Sequence, residues 1–269
     1  MSASTRIAQS VGDATNLADF LRLIDAMVRV ARKNDRPIHL FRGQEDESWL
    51  LKPGIARSQY AQLVKQDTEA RMLAEFKHRG IPHLESTVEL ADADWLAIAQ
   101  HHGMPTRLLD WTGSALTALW FAIKRPAVKG DDGEPKAAAV WVLAASEQDF
   151  ITDQERDKPL KVSRTKLLKP RHVSRRIAAQ DGWFTVHRGT ENGEGLHYAS
   201  LDTNGDFEFR LDYIRIPPDA FGALRAQLQF AGINRGALFP DLDGVAGRIT
   251  DAILPPDDQD QDQLEADTL

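Results

Sequence analysis

Cysteine is absent from this chain of 269 residues. That excludes a disulfide framework, a thiolate zinc site and a cysteine nucleophile, and it fits a reducing compartment. Long hydrophobic runs are missing too: none approaches the roughly 18 apolar residues that a membrane-spanning helix needs. Residues 1–13 are polar and lack the basic-then-apolar layout of a signal peptide, so a cytoplasmic location is expected. There is no lysine-bearing phosphate loop, no G-x-S-x-G elbow, no G-x-G-x-x-G turn after a strand and no H-E-x-x-H. No internal repeat is visible.

What is present is ordinary globular material, with 42% hydrophobic and 27% charged residues. A chain of this length buries about 70–75% of its unfolded surface and needs no staples. The formal charge of −7 is local. After Pro255–Pro256 come Asp257, Asp258, Asp260, Asp262, Glu265 and Asp267 with no basic residue. Without those six, 34 of the 40 acidic groups remain against 33 basic ones, so the body is nearly neutral. Residues 255–269 are expected to be a disordered, solvated tail.

Leu17, Phe20, Leu21, Ile24, Met27, Val28 and Ala31 recur at helical spacing, with Thr15 or Asn16 as cap. Residues 38–41 read as a short strand ending at Arg42–Gly43, with residues 45–47 a solvated loop beyond. Further helices are expected over 67–79, over 92–102 (stopped by Gly103 and Pro105), over 114–124, after Pro217–Pro218, and over 241–249. Strands are expected over 107–112, 138–143 and 182–187, and Phe207, Phe209, Leu211 and Tyr213 alternate as in a half-exposed strand. Residues 189–195 read as a glycine-rich loop. Helices dominate the first half and strands the second, which favours α+β over a doubly wound sheet. An N-terminal segment at 1–14 and one domain over 15–254 would precede the tail.

Two segments carry most of the candidate chemistry. Arg42 ends an apolar strand, and Gly43 after it would let a ligand or another chain segment approach the backbone. An arginine fork matches phosphate or carboxylate, though it could equally be tied to a core carboxylate such as Asp110. On a strand, Thr106, Leu108, Asp110 and Thr112 share one face, three of them polar, and a buried Asp110 would need Arg42 or Arg107 as partner. His101 and His102 end a helix, where they either favour its dipole or lend one ring to a site. Asp241 and Asp243 either cap a helix or offer carboxylates to a site, and one such pair establishes no metal cage. Lys158, Lys161, Lys166, Lys169, Arg171, Arg175 and Arg176 form a basic stretch, either a solvated face or a phosphate contact.

The stretch Phe41–Arg42–Gly43–Gln44, the run from Gln100 through His101–His102–Gly103–Met104–Pro105–Thr106–Arg107 to Asp110–Trp111–Thr112, and Ala118–Leu119–Trp120–Phe121–Ala122 resemble the FRG domain family, named for its Phe-Arg-Gly motif. Residues 176–184 and 232–244 fit the same pattern. A remoter similarity is to ADP-ribosyltransferases of the Arg-Ser-Glu type. It implies N-terminal helices packed on a split, mostly antiparallel sheet, NAD as substrate, and transfer of ADP-ribose to a macromolecule. On that resemblance Arg42, Thr112 and Gln180 are the catalytic candidates. Arg42, Gly43, Gln44, His101, Thr106, Arg107 and Asp110 would surround the nucleotide. Gln180 stands where the resemblance calls for a glutamate on a later strand, so a carboxylate would have to come from Asp110, Asp241 or Asp243. The family's company implies a bacterial or phage-related setting, in defence or as a toxin. The rival readings are a non-catalytic module for nucleotide, nucleic acid or protein, and a metal-dependent hydrolase or nuclease using Asp110, Asp241 and Asp243.

Overall fold

In a computed structural model, residues 8–83, 89–170, 175–191, 193 and 195–256 are described. The strands are β1 (Ser10–Asp13), β2 (Ile38–Gln44), β3 (Leu108–Thr112), β4 (Ala138–Ala145), β5 (Lys166–Leu168), β6 (Gly182–Val186), β7 (Gly189–Glu191), β8 (Leu196–Tyr198) and β9 (Leu211–Ile216). The helices are α1 (Leu17–Lys33), α2 (Ser58–Ala61), α3 (Thr68–Gly80), α4 (Asp92–His101), α5 (Ala115–Ile123), α6 (Asp153–Asp157), α7 (Arg175–Ala179), α8 (Phe221–Phe230), α9 (Arg235–Leu238) and α10 (Leu242–Ile253). Most of the acidic tail and Arg171 of the basic stretch lie outside the described residues.

Seven strands form one sheet in the order β1-β9-β4-β2-β3-β6-β5, and β7 pairs with β8 as a separate hairpin. Every pairing is antiparallel except β1 with β9. The class is therefore mixed α and β on a mostly antiparallel sheet. Burial follows the alternation of the strands. Phe41, Val140, Val142, Ile214 and Ile216 meet α1, α5 and α8 on one face. Leu40, Trp141, Leu143 and Leu109 meet Leu51, Leu201 and Phe207 on the other. At the β3–β6–β5 end, Leu108, Val186 and Phe184 are covered by Leu73 of α3 and by Trp95 and Leu96 of α4.

Helix ends obey local chemistry. Asn16 caps α1 by accepting from the Asp19 amide, and Ser114 caps α5 by accepting from the Thr117 amide at 3.2 Å. After α4 the chain turns at Gly103, with φ +87°, and the Met104 amide reaches back to the Ala99 carbonyl. No helix among the described residues is long and apolar enough to cross a membrane.

Several expectations are corrected. Residues 10–13 form an edge strand of the main sheet, so the N-terminal segment contributes to the domain. Residues 189–191, expected in a glycine-rich loop, form β7 and pair with β8. Phe207 lies in a short helical turn and Phe209, with φ 58°, stands 81% exposed, so β9 starts only at Leu211. The last helix runs to Ile253.

One feature of the sheet positions everything that follows. All seven residues of β2 are in register with β4, whereas β2 meets β3 only at Phe41 and Thr112. The two strands then diverge, and the sheet splits between Gly43–Gln44 and the first half of β3.

Candidate active site

The split opens into a cleft of about 890 Å³, the size of a small-molecule site. Gln100 and His101 from the end of α4, Phe121 and Lys124 from the end of α5, and Arg176, Ile177 and Gln180 from α7 and the turn after it wall it in. Arg42 bridges the split: Nη1 donates to the Asp110 backbone carbonyl at 2.8 Å and lies 4.0 Å from Oδ2 of Asp110. Its side chain is only 15% exposed. Nε is buried without a hydrogen-bond partner among the described residues. Burial pulls the guanidinium down to about 10, against the opposing pull of Asp110 and with a further push from Arg57. It remains charged at neutral pH, with most of its donors unspent.

Gly43 is explained by packing. A β-carbon there would lie 2.0 Å from the Ala118 carbonyl oxygen and 2.6 Å from the Ala122 nitrogen, so the glycine admits α5 against β2. Of the two close approaches that the sequence allowed, the one made is that of another chain segment. Gln44 lines the cleft but its Oε1 accepts from Trp141 Nε1 at 2.7 Å.

Asp110 is not buried, contrary to expectation: its side chain is 61% exposed and projects at the cleft. A directed chain of hydrogen bonds holds it. Thr106 Oγ1 accepts from the Leu108 amide at 3.1 Å, so its own proton goes to Gln100 Oε1 at 2.5 Å. That fixes the amide orientation, and Gln100 Nε2 then donates to Asp110 Oδ1 at 2.8 Å. Thr106 is thus fully buried behind the cleft and acts on it through Gln100. His101 faces the cleft, and burial lowers its basicity, helped by the nearby Arg176.

Arg107 is a correction. It is 2% exposed and does not line the cleft. Nε donates to Glu69 Oε2 at 2.7 Å, Nη1 to the Leu160 carbonyl at 3.0 Å, and Nη2 to the Tyr198 hydroxyl at 3.2 Å, which in turn donates to Glu69 at 2.8 Å. Its partner is Glu69 of α3, not Asp110.

Thr112 and Gln180 do come together, but through different atoms than a substrate would need. Thr112 Oγ1 donates to the Gln180 carbonyl at 2.6 Å and accepts from the Ser114 amide at 3.1 Å, tying β3, the start of α5 and the turn after α7. Gln180 precedes β6 and is not on a strand, and its Nε2 donates to the Leu238 carbonyl at 3.2 Å. Asp181, in a left-handed turn with φ 43°, takes Trp183 Nε1 at 3.2 Å. Asp241 caps α10 by accepting from the Gly244 amide at 2.8 Å, and neither it nor Asp243 lines the cleft. Among the described residues no group of three or more His, Asp or Glu is placed to hold a metal.

The sequence reading missed Glu45, placed there in a solvated loop. Its side chain is 18% exposed in the cleft and pairs with Lys124 at 3.5 Å. Its signal was the apolar run on either side, Phe41 before and Trp49–Leu50–Leu51 after. Also missed were Lys52 and Arg57 on the rim. Five cationic side chains (Arg42, Lys52, Arg57, Lys124 and Arg176) thus face two carboxylates, Glu45 and Asp110, each already at ion-pair distance from one of the five. The cleft is electropositive in a chain that is acidic overall, and an anion is the ligand it suits.

No curated protein and no solved structure matches the chain. A family model, described as FRG domain, matches residues 38–131, which carry β2, α3, α4, β3 and α5 and hence Arg42, Gln100, His101 and Asp110. Over those residues the chain is similar to the FRG domain family.

Proposed function

We propose that the cleft binds NAD and that the domain is an ADP-ribosyltransferase. The observation that carries this reading is Arg42, a nearly buried cation whose Nε meets no acceptor among the described residues. A buried donor without an acceptor costs about 1–3 kcal/mol; Nε itself is closed to solvent, and a phosphate at the split would meet the part of the guanidinium that stays exposed. When bound, NAD supplies an ADP-ribosyl group: the bond from its ribose carbon to nicotinamide breaks with the electron pair leaving on nicotinamide, while the carbon bonds to an acceptor nucleophile that loses its proton.

The chain's own residues would divide the work. Arg42 holds a phosphate. Asp110, aimed by Thr106 and Gln100, presents the carboxylate that Gln180 does not supply, opposite the positive charge that develops at the ribose carbon. Gln180 and Thr112 keep the wall in place. His101, kept neutral by burial, offers a ring nitrogen without adding charge. A second reading, a nucleotide-binding module without turnover, is favoured by Gln180, whose amide is tied to Leu238 rather than pointed at a ligand.

Calorimetry with NAD, followed by assay of nicotinamide release, separates the two. Asp110→Asn is expected to keep binding and lose release, and Arg42→Ala to weaken binding. Failure of the wild-type chain to bind NAD would sink both the transferase reading and the choice of ligand. Binding without release would leave the module.

A further inference from the structure

The rim of the cleft has a feature that a dinucleotide on Arg42 leaves unused. The loop after β2 holds two large apolar side chains in solvent, Trp49 at 46% and Leu50 at 44% exposure. The loop is pinned at both ends. Asp46, itself buried, accepts from the Ser48 amide at 2.7 Å through its carboxylate and from the Trp49 amide at 3.2 Å through its carbonyl. Leu51 is fully buried, and its amide donates to Asp202 Oδ1 at 3.0 Å. The indole is therefore presented, since a free loop with these residues would fold them inward.

Lys52 and Arg57 line the same cleft as that indole, and so does Arg176 from α7. Among the described residues none of the three has a carboxylate at ion-pair distance; Arg176 lies instead over the Phe239 ring at 4.4 Å. A second indole, Trp183, also lines the cleft, with the Lys169 ammonium 4.8 Å above its ring. Cations without a carboxylate partner among the described residues and two indoles thus line one mouth, from two separate stretches of chain.

We infer that this mouth binds a single-stranded nucleic acid, its phosphates on Lys52, Arg57 and Arg176 and a base on Trp49. Cations alone would serve an acidic peptide equally well, but the exposed Trp49 indole adds a π-face that bases stack on and acidic side chains do not. A duplex keeps its bases stacked on one another, so it offers the rim phosphates alone. On the transferase reading, the strand would be the acceptor of the transferred group. That last clause rests on the proposed function; the binding does not.

The test is fluorescence anisotropy with the full chain and a labelled 12-nucleotide single strand, as DNA and as RNA. The same sequence as a duplex and an oligoglutamate peptide serve as competitors. The single strand is expected to bind with log affinity falling against log salt at a slope of about −2, as three phosphate contacts give. Lys52→Ala with Arg57→Ala should flatten that slope by about 1.4. Trp49→Ala should weaken binding by about tenfold or more and leave the slope unchanged. Competition by duplex or oligoglutamate as strong as by the single strand, no binding at all, or no effect of Trp49→Ala in a chain whose circular dichroism is unaltered would each overturn the inference. Strand binding with no NAD binding would overturn the proposed function and leave this inference standing; NAD binding without strand binding does the reverse.

Discussion

Two arginines of this chain are withdrawn from water, Arg107 just before β3 and Arg42 on β2, and they differ in what their N–H groups meet. Arg107 has a carboxylate, a phenol and a backbone carbonyl around it, with Glu69 held on two sides at once. Arg42 has one carbonyl at hydrogen-bond distance and a carboxylate at 4.0 Å. The same side chain is a closed piece of scaffold in one place and an open socket in the other. Burial alone does not separate scaffold from site; the tally of unspent donors does.

The comparison breaks most readily at Arg107. Arg107→Ala leaves Glu69, 1% exposed, as an uncompensated buried charge, and about 3–5 kcal/mol of stability should go. Urea denaturation measures it, and a loss under 1 kcal/mol would mean that the network is not closed.

Next comes His187, which lies under the same region. Trp111 Nε1 donates to Thr185 Oγ1 at 3.1 Å, and the Thr185 hydroxyl shares a hydrogen bond with His187 Nε2, also at 3.1 Å. Burial above all, with Arg107 and Arg42 adding to it, pushes the ring down to about 4. The unfolded chain takes up a proton near 6.5 that the folded chain refuses. Stability from this group is complete above about pH 6.5 and falls away toward pH 4, by up to about 3 kcal/mol. His187→Gln should flatten that part of the pH–stability curve.

Arg42→Ala should weaken NAD binding by about 10- to 150-fold, the equivalent of about 1.5–3 kcal/mol for charged hydrogen bonds. It should change stability by less than about 1 kcal/mol, because so few protein contacts are lost. Calorimetry and denaturation on the same preparation give both numbers. A large stability loss with intact binding would reverse the roles assigned to the two arginines. The smallest effect expected is that of Thr112→Val, which removes the bonds to Gln180 and Ser114. It should cost about 1–2 kcal/mol by thermal denaturation and affect binding less than Arg42→Ala does.

The sequence made α1 legible by its period, and α4, α5, β4 and β6 by apolar runs, with local stops or caps such as Asn16, Gly103 and Ser114. The meeting of Arg42 with residues 100–122 was legible from the motifs. The identity of each polar partner was not. Glu69 reaches Arg107 across a fold, and nothing local in α3 distinguishes it from the other charges there. Asp110 shares a strand face with Thr106 and Thr112, which left scaffold and site both open; the divergence of β2 from β3, a property of pairing rather than composition, leaves its side chain in the open. Gln180 is placed by a left-handed turn at Asp181, a non-glycine, which no pattern announces. Strand β1 is short and mostly exposed, so it carries no alternation to read.

The order in which the strands are made differs from the order in which they pair. The family-matched stretch, residues 38–131, contains β2 and β3 alone, and these share one register position, while the whole of β2 waits for β4, which begins at Ala138. The edge strand waits longer still, since Ser10 pairs with Tyr213. A ribosome making this chain must therefore hold an unsatisfied β2 until β4 emerges and cannot close the sheet until β9 has been released. Cut out on its own, the 38–131 stretch would bare both sides of β2 as a template for other strands and aggregate rather than fold.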